Sequence, residues 1–320
     1  MTTTSAPARP RSGMRWRPGW MQDYGVYVAL VAILVVNLFL TDNFVTVANL
    51  RTQLIQVVPV VIVALGMALV IGTEGIDLSV GSVMALAAAL LPLYLGYGLA
   101  PALVVALAAG LMVGLVNGWL VAAIGVQPIV ATLALLVGGR GLATVVGGTQ
   151  KSIYDPTLLA VGANDVLGVP LIVLFAVFLV VIVAFVVQRS TFGRQLVAIG
   201  GNRIASELAG LPVRRILVTV YVISGLLAAS AGIIATARLT ASTPNSLGLN
   251  IELSAITAVV VGGTPLTGGR VRVIGTVAGA LLMQLIRSTL IANNLNDSIA
   301  QMTQAAIILG AVYVQRGRRS

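Results

Sequence analysis

The 320-residue chain has no cysteine, no histidine and few charged side chains. Without cysteine it can form neither disulfides nor a thiolate nucleophile nor a sulfur-ligated metal site. Without histidine it lacks the usual general base and the commonest metal ligand. We therefore expect a protein that is not an enzyme and that carries no catalytic residue, no metal and no cofactor of its own.

Apolar residues, by contrast, are abundant. Hydrophobic residues make up 58% of the chain and charged residues 9%, and the mean hydropathy is +1.04. This is more apolar surface than one soluble core of this length could bury, so the chain is predicted to be an integral membrane protein. The net charge of +10 then reflects membrane topology rather than nucleic-acid binding.

Ten hydrophobic runs are candidate membrane spans, which predicts an all-α, polytopic transmembrane helical bundle with broken helices. The predicted domain covers residues 21–315, between a basic tail at 1–20 and another at 316–320. The eighth run is too short to cross a bilayer alone and is expected to be broken or re-entrant. The runs are 24–40, 54–71, 78–97, 100–124, 129–146, 169–187, 216–237, 253–261, 273–291 and 299–314.

The positions of the basic residues favour an orientation. If ten spans begin in the cytoplasm, then both tails, the loop 188–215 and the segment 262–272 share the cytoplasmic side. Those four segments hold 14 of the 19 Lys and Arg residues. The positive-inside rule therefore predicts that both termini are cytoplasmic.

The motif EGIDLSVGS at 74–82 follows the second run without a conventional loop. One interpretation is a tight turn in which Asp77 caps the third helix, Ser79 adds a hydroxyl, and Gly75 and Gly81 permit sharp turns or close approach. The other is a discontinuous segment that lines or gates a transport pathway, where Glu74 or Asp77 acts on the substrate. The residues alone leave both interpretations open.

A second break, VVVGGTPLTGGR at 259–270, places four glycines and a proline where a helix should continue. It lacks the Lys and the following Ser or Thr of a P-loop, so it does not bind ATP through a P-loop motif. If ATP drives transport, another subunit must bind it. The residues proposed to line or gate a pathway here are Gly262, Gly263, Thr264, Gly268 and Gly269.

The longest polar loop on the basic side, 188–215, is predicted to contain a short helix. Asn202 is a suitable N-cap, and Gly210 is suited to ending the helix. Ile204 and Leu208 form an apolar stripe beside Arg203 and Glu207. Such a helix could lie on the membrane surface or dock into a groove on a cytoplasmic partner.

Arg140 follows the Gly138-Gly139 pair near the far end of the fifth run. We expect it to reach the membrane surface or to bind a loop carboxylate rather than to contact solute.

Four blocks in this order resemble the sugar permease subunits of bacterial ATP-binding-cassette importers, the ribose, xylose and galactofuranose group. They are GIDLSVGS, QPIVATLALLVGGRGL at 127–142, TFGRQLVAIGGNRIASELAG at 191–210 and AVVVGGTPLTGGRVRVIGTVAGALL at 258–282. The resemblance implies a multi-pass inner-membrane subunit that pairs with a second permease copy or a paralogue. It also implies a periplasmic sugar-binding protein and a separate ATPase as partners.

By the same resemblance, the helix at 202–209 looks like the coupling helix that contacts the ATPase, and the two glycine-containing breaks look like pathway or gating segments. A competing hypothesis is a secondary transporter driven by an ion gradient, in which Glu74 or Asp77 carries the proton or cation. A membrane enzyme is a third, weaker alternative. The sequence does not identify the sugar.

Overall fold

The computed structural model describes residues 19–41 and 43–316, and these residues are predominantly helical. Residues 1–18 of the predicted N-terminal tail and 317–320 of the C-terminal tail lie outside them. The α-helices are α1 Gly19–Leu40, α2 Val47–Gly72, α3 Val80–Tyr94, α4 Leu99–Trp119, α5 Pro128–Gly147, α6 Pro156–Ala163, α7 Leu171–Arg189, α8 Thr191–Gly201, α9 Arg203–Leu208, α10 Val213–Leu239, α11 Ile251–Val261, α12 Val273–Ala292 and α13 Asp297–Arg316. A 3-10 turn, Leu95–Tyr97, extends α3, and a π-helical turn, Leu120–Ile124, ends α4.

Each of the ten predicted runs corresponds to one of these helices, although the runs 78–97 and 169–187 begin two residues before α3 and α7, and the runs 78–97 and 100–124 end in the 3-10 and π-helical turns. Among the described residues, seven helical segments are long and apolar enough to cross a membrane. The fold is thus an all-α, multi-pass membrane bundle. The apolar parts of α1 and α11 are shorter, and α13 is not among the seven. At 11 residues, α11 is too short to span alone, as the sequence predicted.

In the described ranges, four two-residue strands connect loops at one end of the bundle. Strand β1, Lys151–Ser152, pairs antiparallel with β4, Ala241–Ser242, and β2, Asp165–Val166, pairs with β3, Val169–Pro170. Arg51, near the start of α2, donates two hydrogen bonds to Asp165 at 2.6 and 2.7 Å. These contacts fix the loop 148–170 against α2 and the end of α10.

The core forms around α2 and α10 because both helices are apolar on nearly every face through their buried portions. Small residues bring α10 against α4 at backbone contact. A Cβ built on Gly225 would lie 2.2 Å from the carbonyl oxygen of Gly110. Such close approach is how helices associate in lipid, where burial of apolar surface gives little driving force.

Candidate functional site

The EGIDLSVGS motif is a turn between two buried helices. α2 ends at Gly72, and Glu74 adopts a left-handed conformation at φ 65° with its side chain exposed. The amide of Gly75 then donates to the carbonyl of Val70 at 3.0 Å. The chain thus reverses direction between α2 and α3 within a few residues.

Asp77 is the centre of a buried polar cluster in this turn. Only 1% of the residue is exposed. Its Oδ1 accepts hydrogen bonds from the amide and hydroxyl of Ser79, at 3.0 and 2.6 Å, and its Oδ2 accepts from the hydroxyl of Ser224 on α10 at 2.7 Å. Asn117 of α4 donates to the Ser79 hydroxyl at 2.8 Å. The cluster therefore joins the turn to α4 and α10.

The sequence interpretation of Asp77 as the cap of α3 needs refinement. Ser79 occupies the N-cap position of α3, and Asp77 bonds to its amide one position before the helix begins. This is an Asx-type turn that shapes the chain ahead of the helix. Gly81 permits close approach, because a Cβ there would lie 2.5 Å from the carbonyl oxygen of Gly248 and 2.6 Å from a Glu252 carboxylate oxygen.

The second glycine-rich break, 262–272, connects α11 to α12. Gly263, Gly268 and Gly269 have positive φ angles of 89°, 73° and 76°, which other residues adopt only with strain. Thr264 is fully buried, and its hydroxyl accepts a hydrogen bond from the amide of Arg272 at 3.0 Å, which closes the loop. Gly262 permits contact with α12, since its Cβ would lie 2.5 Å from the Gly275 carbonyl.

The structure brings the predicted motifs together at a site that we call the glycine junction, formed by Gly72, Gly200, Gly268 and Gly269. The amide of Gly269 donates to the carbonyl of Gly72 at 3.1 Å. A Cβ on Gly200 would lie 1.8 Å from that carbonyl oxygen, and a Cβ on Gly268 would lie 2.7 Å from the carbonyl oxygen of Gly200. The ends of α2 and α8 and the loop before α12 are therefore in direct backbone contact.

The short helix α9 begins immediately after the junction. Asn202 caps it, because its side chain accepts a hydrogen bond from the amide of Ala205 at 2.9 Å, and Gly210 follows the helix at φ 78°. Arg203 and Glu207 form an ion pair at 3.5 Å. Ile204 and Leu208 are 72% and 84% exposed, so this apolar stripe is left uncovered by the part of the chain that the structure describes.

A residue whose role the sequence interpretation missed is Arg140. Its guanidinium donates hydrogen bonds to the backbone carbonyls of Leu247, Gly248 and Pro244 at 2.6, 3.1 and 3.3 Å. The guanidinium is thus half-buried against a non-helical segment, 243–250, and the carboxylate that interacts with it electrostatically, Glu252, lies in α11 rather than in a loop. Irregular backbone inside a membrane protein needs such donors, because no water is present to satisfy its carbonyls.

These features define a class of protein: a multi-pass helical membrane protein in which broken segments meet a short exposed helix. The chain belongs to the family described as branched-chain amino acid transport system / permease component, whose model matches residues 49–312. Among the described residues, no group of three or more acidic side chains could hold a metal ion.

Three relatives cover most of the chain. The galactofuranose transporter permease protein YtfT of Escherichia coli (strain K12) is 36% identical over 97% of this chain and 93% of its own length. The ribose import permease protein RbsC of the same strain is 35% identical over 96% and 98%. The fructose import permease protein FruF of Bifidobacterium longum (strain NCC 2705) is 37% identical over 83% and 77%. No solved structure matches the chain.

Proposed function

We propose that the chain is the permease subunit of an ATP-binding-cassette importer for a monosaccharide, located in the bacterial inner membrane. The observation that carries this proposal is the combination of sugar permease relatives over nearly the whole chain with an uncovered apolar helix placed directly on the glycine junction. The relatives named above carry different sugars in their names, so the proposal extends to the class of substrate and not to one sugar.

The proposed topology has ten membrane passages with both termini in the cytoplasm. The clustering of basic residues at 188–215 and 262–272 supports it, because both segments lie at the junction end of the bundle. In this arrangement α9 faces the cytoplasm, and the loop 148–170 faces the outside. The short α11 and the irregular segment 243–250 together form a re-entrant element rather than a simple span.

The proposed mechanism is alternating access driven by a partner ATPase. α9, within the loop 188–215, acts as the coupling helix, and its Ile204 and Leu208 insert into the ATPase. A force on α9 is transmitted to Gly200 at the end of α8, and from there to the ends of α2 and α12 through backbone contacts. Because these contacts contain no flexible side chain, a displacement of α8 has to move its neighbours.

The other partners are a periplasmic sugar-binding protein and a second permease, either another copy or a paralogue. The ion-coupled alternative is disfavoured on two grounds. The relatives are named as import and transport permeases for sugars, and both oxygens of Asp77 are already engaged by internal donors in a buried cluster. Glu74 and Asp77 therefore shape the turn in this mechanism and carry no ion.

The test is purification of the tagged chain in mild detergent from its own host, with mass spectrometry of the proteins that accompany it. A two-cassette ATPase should accompany the native chain and be lost from the variant Ile204→Asp with Leu208→Asp. The control is Leu167→Asp, which places one such carboxylate at a fully exposed leucine in the turn between β2 and β3; the single variants Ile204→Asp and Leu208→Asp match it in charge.

Recovery of the native chain without any ATPase, under conditions that keep other importers intact, would contradict the proposal. Loss of the ATPase from the Leu167→Asp control as well would show that the charge acts on assembly generally, and it would remove the assignment of α9 as the coupling helix.

A further inference from the structure

The structure contains a polar cavity that lies apart from the glycine junction and from the Asp77 cluster. It has a volume of about 350 Å³ and lies between α2, α11, α12, α13 and the segment 243–250. This is within the range of about 300–1,000 Å³ that small-molecule sites occupy. Its polar lining comes from Ser246, Asn250, Ser254, Gln284, Gln301 and Gln304. We call it the amide pocket.

Amides and hydroxyls are expensive in the interior of a membrane protein unless they face a cavity or one another. Here they do both. Gln284 donates from its Nε2 to the side-chain oxygens of Gln56 and Gln53 on α2, at 2.7 and 3.1 Å. Gln53 in turn donates to the hydroxyl of Ser288. This network connects α12 to α2 and fixes the orientation of Gln284 at the wall of the pocket.

A second amide is held in the same way on the opposite wall. Gln304 of α13 donates from its Nε2 to the hydroxyls of Ser254 and Thr257 on α11, at 3.2 and 3.3 Å. In both glutamines the two Nε2 hydrogens are used within the protein, so the group left to meet a ligand is the carbonyl oxygen. The pocket therefore presents two oriented acceptors to a ligand that donates O–H groups.

The charge of the described lining selects among solutes. Of the lining residues that the structure describes, Arg287 is charged and none is a carboxylate. A free amino acid brings an ammonium group that would find no anionic partner among the described lining residues, and an unpaired buried charge is costly. A neutral polyhydroxy compound needs no such partner, because each hydroxyl both donates and accepts.

The apolar part of the lining suits the same ligand. Val60, Leu249, Met283 and Ile286 contribute aliphatic surface against which C–H groups can pack, and none of the lining residues that the structure describes is aromatic. Recognition would thus depend on hydrogen bonds rather than on ring stacking. The pocket also lies well away from the junction, since Val60 is about 18 Å from Gly72 along the axis of α2.

We propose that the amide pocket is a binding site for a neutral monosaccharide on its way through the permease, with the carbonyl oxygens of Gln284 and Gln304 accepting hydrogen bonds from its hydroxyls. The proposal rests on the proposed function. It also gives α2 and α12 a second role, because both helices run from the glycine junction to this pocket, so that movement at the junction changes the shape of the site.

The experiment uses the complete transporter, with its ATPase and binding protein, reconstituted in proteoliposomes. ATP-dependent uptake of radiolabelled D-ribose, D-fructose, L-arabinose and D-galactose is measured first, with L-leucine and D-glucuronate as the amino acid and anionic sugar probes. Binding of the transported sugar to the purified permease is measured in parallel, as are ATP hydrolysis and thermal unfolding of the complex.

Gln304→Leu and Ser246→Ala are expected to weaken sugar binding about three- to tenfold each, the effect of losing one hydrogen bond to an uncharged group. Gln284→Leu should weaken binding at least as much. If that variant fails to assemble because its network with α2 is lost, the other two variants decide. The control Thr303→Val removes a hydroxyl from α13 that donates to the carbonyl of Ile299, has no other partner among the described residues and is not among the described lining residues.

The outcomes separate the two proposals. If the native transporter takes up none of the probes in an ATP-dependent manner, the proposed function fails. If it takes up a neutral sugar but Gln304→Leu and Ser246→Ala bind and transport it like Thr303→Val, the site assignment is overturned. Binding of L-leucine or D-glucuronate that depends on Gln304 would overturn the assignment of a neutral ligand.

Discussion

The glycine junction makes a strong prediction because the neighbours of Gly200 are backbone atoms that cannot rotate away. In Gly200→Ala the new methyl group would lie 1.8 Å from the carbonyl oxygen of Gly72 and 2.6 Å from the amide nitrogen of Gly269. Ordinary contact begins at 3.4 Å. The end of α8 would therefore have to move away from α2 by about 1.6 Å, the difference between the two distances.

Two opposing free-energy terms determine the result. Gly200 lies in α8, where alanine is favoured over glycine by about 1 kcal/mol. Overpacking at a rigid site costs about 1–3 kcal/mol and sometimes more. Because the clash is with backbone on two sides, we expect the cost to fall at or above the upper end and the variant to be destabilised by roughly 2 kcal/mol or more.

The control is the next residue. Gly201 belongs to the same helix, but a Cβ on it would meet no atom within 4 Å. Gly201→Ala should therefore be neutral or slightly stabilised. Thermal unfolding of the two purified variants measures the stability difference, and ATP hydrolysis with uptake in proteoliposomes measures coupling. We expect Gly200→Ala to retain ATP hydrolysis and to lose most of its uptake.

Equal behaviour of the two variants in stability and in transport would refute the argument. It would mean that α8 can separate from α2 without cost, and that the backbone contact does not transmit movement. Loss of stability with full retention of uptake would preserve the packing argument but would remove the junction from the mechanism.

Three further predictions concern other parts of the chain. Asp77→Asn should preserve folding and ATP-driven uptake, because the amide can still accept from Ser79 and can donate to the Ser224 hydroxyl; loss of transport with an intact fold would favour ion coupling instead. Arg140→Met should destabilise the chain by about 1–3 kcal/mol for each carbonyl of the 243–250 segment that is left buried and unpaired, as measured by thermal unfolding; a stability equal to that of the native chain would contradict this role. Asp155 caps α6, and hydrogen bonds, foremost from the Thr157 hydroxyl, lower the pKa of its carboxyl group. The stabilisation that Asp155 gives to α6 is therefore complete above the ordinary carboxyl pKa and is lost as the pH falls through the lowered pKa. Protection of the α6 amides from hydrogen exchange, corrected for intrinsic rates, should decline below about pH 4 and not above it.

The sequence by itself determined the helical segments and their breaks. Long apolar runs allow only helices in a bilayer, so the ten runs predicted ten helical segments, including the short α11. Glycine and proline marked the turns at 74–82 and 262–272, and Asn202 with Gly210 marked the short helix α9. Each of these inferences depends on residues close together in the chain, where periodicity and backbone preference are decisive.

Only the tertiary structure decided which of these segments meet. The contact of Gly200 with Gly72 and Gly269, the donation by Arg140 to carbonyls of 244–248, and the union of Gln284 with Gln53 and Gln56 all join residues far apart in sequence. A glycine in a helix shows that another segment can approach closely, and a glutamine in an apolar run shows that it needs a hydrogen-bond partner. Which segment approaches depends on how the helices pack, and that packing is a property of the whole bundle rather than of any local pattern.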